Sequence, residues 1–224
     1  MCFKSNELIT ETRIGMNDSS STDENSGFRV DPTPITLEAF FEDHHYSNKD
    51  NVYDDNKETV LNPKRAFVSE AQIADMETSF EICFPKKLRA LYLQQNGGYV
   101  STLVTPLVEN PSLIKDEDWL MPFGGYEDLR TLEQLETFYE SATHYADPEE
   151  ELEDFPIGCK RMIVIAQWYR HTLFLDYRNS DEPRIGFTDF DSFEDLQNSY
   201  WESQAHWWDD FDTFFAQLRR SENL

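Results

Sequence analysis

The side chains able to do chemistry are few and far apart. Of the five histidines, only His44 and His45 adjoin, and neighbouring helical residues point about 100° apart, which makes a poor chelate. Asp189-x-Asp191 and Asp209-Asp210-x-Asp212 could offer oxygen ligands to a divalent cation. A calcium loop also needs ligands at fixed positions, a turn glycine and a terminal glutamate, and neither run has that frame. Both read as solvated charge. Cys83 and Cys159 lie beside Ile82 and Phe84 and near Ile157, with no His or Lys placed to favour a thiolate, so they read as small buried hydrophobes. The phosphate-cradling GxGxxG and GxxxxGK[ST] loops, the HExxH zinc motif and the GxSxG elbow do not occur. The expectation is a protein without enzymatic activity, metal or cofactor.

Charge narrows the partners. The chain has 44 Asp and Glu against 19 Lys and Arg, a formal −25 over 224 residues. Phosphate backbones and anionic bilayers repel such a surface, so nucleic acid and membrane are excluded as expected partners and a basic protein is favoured. Three cysteines, Cys2, Cys83 and Cys159, with no CxxC pair, argue against a disulfide framework or a zinc ribbon and for a reducing cytoplasm. The opening MCFKSNELITETRIG lacks the apolar run of a secretory signal, and no stretch of 18 apolar residues could span a bilayer. Met16, which opens MNDSSSTDENSG, reads as an alternative start.

The elements that must position these groups follow from apolar periodicity. With 17 Phe, 10 Tyr and 5 Trp there is apolar mass for a sizeable core. Residues 1–34 read as a disordered extension, Ser-, Asp- and Asn-rich from Met16 onward, and 35–68 as a short helix carrying Leu37, Phe40 and Phe41 followed by a polar loop. Ser69-x-x-Gln72 is a capping box, and Ile73, Met76 and Phe80 predict a helix over 69–84. Pro85 suits the first turn of a second helix with Leu88, Leu91 and Tyr92 as its buried stripe, stopped by Asn96-Gly97-Gly98. Tyr99 to Leu107 reads as a strand, and Leu129, Leu132, Leu135 and Phe138 as a helix. After the acidic ADPEEELED, residues 162–168, 171–177 and 184–189 predict three strands in an antiparallel meander. Phe211, Phe214, Phe215 and Leu218 predict a final helix, its dipole complemented by Arg219 and Arg220.

This order resembles the SUKH superfamily, the fold of the fungal Smi/Knr cell-wall regulator. The most specific part is E-x7-P-x10-NGG, here Glu77, Pro85, Asn96, Gly97 and Gly98, followed by IVIA at 163–166, LDY at 175–177 and a Phe-rich helix. The likeness spans about Ser69 to Leu218, giving a SUKH-like domain over 69–220. The long stretch between NGG and IVIA, and residues 1–68, have no place in the minimal pattern. The resemblance implies an α+β fold, an antiparallel sheet flanked by helices. It also implies a protein that binds rather than catalyses. In bacteria such proteins are commonly immunity partners of polymorphic toxins, often nucleases or deaminases acting on nucleic acid; fungal relatives are regulatory interaction hubs.

A cognate toxin with a basic face would meet the acids. Between Arg130 and Lys160 lie nine carboxylates and no Lys or Arg, and between Arg184 and Arg219 eight more. Such runs serve solubility or a cationic partner. The second run is interleaved with Trp201, Trp207 and Trp208, and rings amid carboxylates suit a hot-spot interface. The expected partner-binding residues are Glu149, Glu150, Glu151, Asp189, Asp191, Trp201, Trp207, Trp208, Asp209 and Asp210.

Overall fold

Ser69 starts the first helix as its capping box predicts. Its Oγ accepts from the Gln72 N–H at 3.2 Å, while Gln72 Oε1 accepts from the Ser69 N–H at 2.9 Å. In the computed structural model, which describes residues 29–41, 52–53, 59–60, 67–100, 102–107, 119–123, 128–144, 158–168, 171–189, 202 and 205–222, helix α1 runs Glu70–Phe80. It ends short of the expected Phe84. Glu81 is left-handed at φ 56°, and the Glu81 and Ile82 N–H groups turn back onto the carbonyls of Thr78 and Glu77. From there burial alternates: Ile82 and Phe84 face the core and Cys83 is exposed, so the thiol expected to be buried is not. Period-two burial belongs to an extended chain, which is why the helix cannot continue. Pro85 then caps helix α2, Lys86–Gln94, whose Leu88, Leu91 and Tyr92 are fully buried.

The main sheet is antiparallel and five-stranded. Strands β9 (Met162–Trp168), β10 (His171–Asp176) and β11 (Arg184–Asp189) form the expected meander, bulged between Leu173 and Phe174, and β12 (His206–Trp208) and β8 (Glu136–Thr137) close its two sides in the order β12-β11-β10-β9-β8. One face buries Ile163, Ile165, Leu173, Leu175, Ile185 and Phe187 against α1, α2 and helix α4 (Phe211–Gln217). The other buries Met162, Val164 and Phe174 with Phe138 and Ala142 of helix α3 (Phe138–Thr143) and with Cys159. The fold is α+β, an antiparallel sheet flanked by helices.

Several expected elements are replaced. The leucine steps from Leu129 to Phe138 do not make a helix. Strand β7 (Asp128–Leu129) pairs with β4 (Gly98–Tyr99), and a 3-10 turn at Leu132–Gln134, β8 and α3 follow. The Arg130 N–H already bonds Ile165 O at 2.9 Å, and Thr131 and Thr137 each set a capping box, so the backbone is divided among short elements. The expected strand over Tyr99 to Leu107 is likewise two, β4 and β5 (Leu103–Pro106), in different sheets. Residues 35–41 form turns instead of a helix; the rest of that segment lies outside the described residues, as do His44 and His45. The final helix stops at Gln217, and Arg219 and Arg220 belong to strand β13 (Arg219–Glu222). Arg219 nevertheless donates to the Ala216 and Leu218 carbonyls, both at 2.8 Å, so it still satisfies the helix end.

Part of the segment read as disordered is a strand. β1 (Arg29–Val30) pairs antiparallel with β13, which pairs with β5, which pairs with β6 (Trp119–Leu120), making a four-stranded sheet in the order β1-β13-β5-β6. Val30 packs with Val104 and Trp119, and Phe40 reaches zero exposure in the main core. Residues 1–28 lie outside the described residues. A further pair, β2 (Val52–Tyr53) and β3 (Thr59–Val60), forms a separate two-stranded sheet.

Candidate interaction surface

The residues of the E-x7-P-x10-NGG frame build the scaffold beneath the surface. Glu77 accepts from the Phe84 N–H at 2.8 Å and from Arg89 at 2.6 Å, so one carboxylate ties the loop after α1 to the first turns of α2. Arg89 also pairs with Glu70. Asn96 is buried, and both ends of its amide are used: Oδ1 accepts from the Leu132 N–H and Nδ2 donates to Glu133, each at 2.9 Å. Burial would push the Glu133 carboxyl up, but the bond from Asn96 and neighbouring backbone and threonine donors hold it below its ordinary value. Gly97 sits at φ 72°, where a Cβ would come within 2.5 Å of Leu129 O and 2.8 Å of Thr131 N. Only glycine allows α2 to dock so closely on the 129–131 backbone. The Tyr92 hydroxyl donates to Arg130 O at 3.0 Å across the same contact.

A buried charge knot holds the far end of the meander. Asp176 is fully buried and accepts a two-pronged contact from Arg178, Nε to Oδ1 and Nη2 to Oδ2, both at 2.8 Å, and a third bond from Arg184 at 2.9 Å. Burial would raise this carboxyl, yet the Arg178 and Arg184 bonds outweigh it and hold it below the usual carboxylate range. Arg178 reaches outward to Glu202 at 2.5 Å, and the Arg184 guanidinium lies 3.6 Å above the Trp207 ring. Trp207 in turn donates its indole N–H to Glu202 O at 3.0 Å and meets Phe174 edge-on. Asp176, Arg178, Arg184, Trp207 and Glu202 thus form one chain of contacts from core to surface. The aspartate of LDY and Arg178, two residues further on, are close in sequence, whereas Arg184 becomes a neighbour only through the β10–β11 pairing of Asp176 with Arg184.

The acidic runs are less bare in space than along the chain. Glu136 pairs with Arg130 at 2.7 Å and His144 at 3.0 Å, Glu133 bonds Asn96, and Glu140 completes the α3 capping box. In the second run Glu202 meets Arg178, Asp212 meets Lys87 at 3.3 Å, and Asp210 caps α4 by accepting from the Thr213 N–H at 2.6 Å. For Glu202 and Asp212 the neutralising cations, Arg178 and Lys87, lie outside the acidic run and distant in sequence, while Arg130 at the edge of the first run serves Glu136.

The expected partner-binding residues therefore divide. Asp209 and Asp210 are exposed at the start of α4, and Trp207 is half-buried on the outermost strand β12. Trp208 is not a surface anchor. It faces the opposite side of β12, is 8% exposed, donates its indole N–H to Gln217 at 2.9 Å and packs on Phe214. Asp189 is the last residue of β11. Glu149, Glu150, Glu151, Asp191 and Trp201, and the side chain of Asp189, lie outside the described residues. Strand β12, with exposed His206, Trp207 under Arg184, and the neighbouring Glu202 and Asp209, is the part of the expected surface that can be placed. Among the described residues no helix is long and apolar enough to cross a membrane, and no three His, Cys, Asp or Glu side chains form a metal-ligand group.

No curated protein and no solved structure is similar enough to the chain to count as a match. A family model does match, and its range, residues 68–217, begins just before the α1 capping box and ends with the last residue of α4. With the Glu77, Pro85 and Asn96-Gly97-Gly98 scaffold in place within two-thirds of its length, the chain belongs to the SMI1 / KNR4 family (SUKH-1).

Proposed function

We propose that this SUKH-1 protein is a non-catalytic, cytoplasmic immunity protein that binds a cognate toxin with a basic, nucleic-acid-targeting face and blocks it stoichiometrically. SUKH domains generally act in protein–protein interactions. The observation that carries the finer reading is the −25 charge of the chain together with an outer strand where Trp207 sits among Glu202, Asp209 and Arg184. Exposed Glu202 and Asp209 beside the half-buried Trp207 ring give a cationic partner carboxylates to meet, while the long-range field steers its approach and can raise association rates by about 10–1000-fold at low salt.

Co-expression with the product of the adjacent gene tests this. The pair is expected to co-purify, and the protein to protect cells from its neighbour; a neighbour that is no toxin, or one that is neither bound nor neutralised, refutes it and leaves the regulatory-hub role of fungal relatives. Asp209→Lys with Asp210→Asn, which keeps the α4 cap, is expected to slow association and flatten its salt dependence.

A further inference from the structure

We propose that Arg184 is a specificity-determining residue of the partner-binding face, a guanidinium fork that takes one carboxylate of a protein whose surface is otherwise basic; this rests on the reading of β12 and its neighbours as that face. Arg184 is held in place by its own chain. Its Nε–H donates to the buried Asp176 carboxylate at 2.9 Å, and its guanidinium lies 3.6 Å above the Trp207 ring. The terminal Nη1 and Nη2 groups have no hydrogen-bond partner among the described residues, and the side chain is partly exposed. Arg178 differs: its two-pronged contact with Asp176 is completed on the outer side by Glu202 at 2.5 Å. Both carboxylates of the knot are therefore engaged, and neither closes the Nη edge of Arg184.

The platform beneath that fork depends on a glycine. Gly186 lies between Phe174 of β10 and Trp207 of β12 in the strand register, and a Cβ there would come within 2.3 Å of the Phe174 ring and 2.7 Å of the Trp207 ring. Glycine weakens a strand interior and marks places where another group approaches closely. Here the two rings make that approach, meeting edge-on at 5.6 Å between centres, while the bond from the indole N–H to Glu202 O at 3.0 Å fixes the outer ring. Core ring, outer ring and guanidinium follow one another in contact. The fork is aimed before a partner arrives, so little freedom remains to be lost on binding.

A planar guanidinium presents parallel N–H groups that match the two oxygens of a carboxylate. A phosphate fits the same fork but brings more negative charge towards a chain of formal charge −25, and free anions of either kind are repelled. A carboxylate carried on a basic surface arrives with the field instead of against it. The acids then set the speed of encounter and Arg184 sets the register. A basic protein without the matching carboxylate would cover the fork and leave it unpaired, which discriminates against that protein.

Two peptides with blocked ends, Lys-Lys-Asp-Lys-Lys and Lys-Lys-Asn-Lys-Lys, titrated into the full-length protein at low salt and followed by NMR, test the proposal. Charge alone makes the Asn peptide, with one more net positive charge, the tighter ligand. The fork reverses that order: the Asp peptide is expected to bind about threefold more tightly or better and to move the Arg184 Nε–H signal, which the Asn peptide leaves in place. Arg184→Lys keeps the charge beside Asp176 but not the fork, and is expected to restore the preference for the Asn peptide. Equal or tighter binding of the Asn peptide by wild type, or an Asp preference that survives Arg184→Lys, overturns the fork and leaves the acidic face standing. Binding of neither peptide overturns both. Should Arg184→Lys fail to fold, wild type decides: an Asp preference that leaves the Arg184 signal unmoved overturns the proposal.

Discussion

Asp176→Asn isolates the charge knot beneath the candidate surface. The substitution keeps the shape of the side chain and removes its charge, leaving Arg178 and Arg184 facing a neutral amide. The Asp176 side chain is 1% exposed, while those of Arg178 and Arg184 are 12% and 36% exposed. Removing one partner of a buried pair costs about 3–5 kcal/mol. Because both arginines reach solvent, and asparagine can still accept one hydrogen bond, about 2–3 kcal/mol is expected here. That is a large share of a typical stability of about 5–15 kcal/mol. The pH dependence gives a second handle. The folded carboxyl titrates below its unfolded value of about 3.9, so its contribution is complete at neutral pH and is lost as pH falls through the folded value. The gap between wild type and Asp176→Asn should stay constant from about pH 8 to 5 and shrink below about pH 4. Urea unfolding followed by tryptophan fluorescence at pH 7, 5 and 3 measures it. A difference below about 1 kcal/mol at pH 7, or one unchanged at pH 3, would refute the view that ionised Asp176 organises this end of the sheet.

Gly97→Ala should cost about 3 kcal/mol or more, the left-handed penalty of about 1–2 kcal/mol plus displacement of the 129–131 backbone, read as a drop in the urea midpoint. Glu81→Gly should act in the opposite sense, raising stability by up to about 1 kcal/mol, because glycine adopts the φ of 56° without strain and offsets only part of that gain through its freer unfolded state. Trp208→Ala should destabilise by about 3–5 kcal/mol as a core truncation, whereas Trp207→Ala should lose clearly less stability and expose the Arg184 guanidinium; equal losses in thermal unfolding would contradict the assignment of the two rings to opposite faces of β12.

What could be read from the sequence was what local chemistry decides. Ser69 and Gln72 complete a capping box within four residues, and the apolar runs at 162–168 and 171–176 match buried strands, so these elements stand where periodicity placed them. Where two periodicities coincide, pattern failed. Leu129, Leu132 and Leu135 are all buried, as a helix would require, but Leu129 sits in β7, Leu132 in the 3-10 turn, and Leu135 between that turn and β8. Trp207 and Trp208 show the same limit in the candidate surface. They are consecutive in an acidic run and look alike in sequence, yet strand geometry sends one to each face. The ion pairs of Glu202 with Arg178 and Asp212 with Lys87 could not be read from local charge counts, since their cations come from distant parts of the chain.

The pairing of β1 with β13 has a consequence for synthesis. Arg29 lies opposite Glu222, so the strand that seats β1 is translated only after every residue between them. At ~5–20 residues per second, the intervening chain takes on the order of ten to forty seconds to make. Throughout that interval β1 has no β13 to join. The nascent protein thus passes through a stage, set by the order of its own strands, in which Arg29 and Val30 have no edge to pair with, and completion of β13 is the event that ends it.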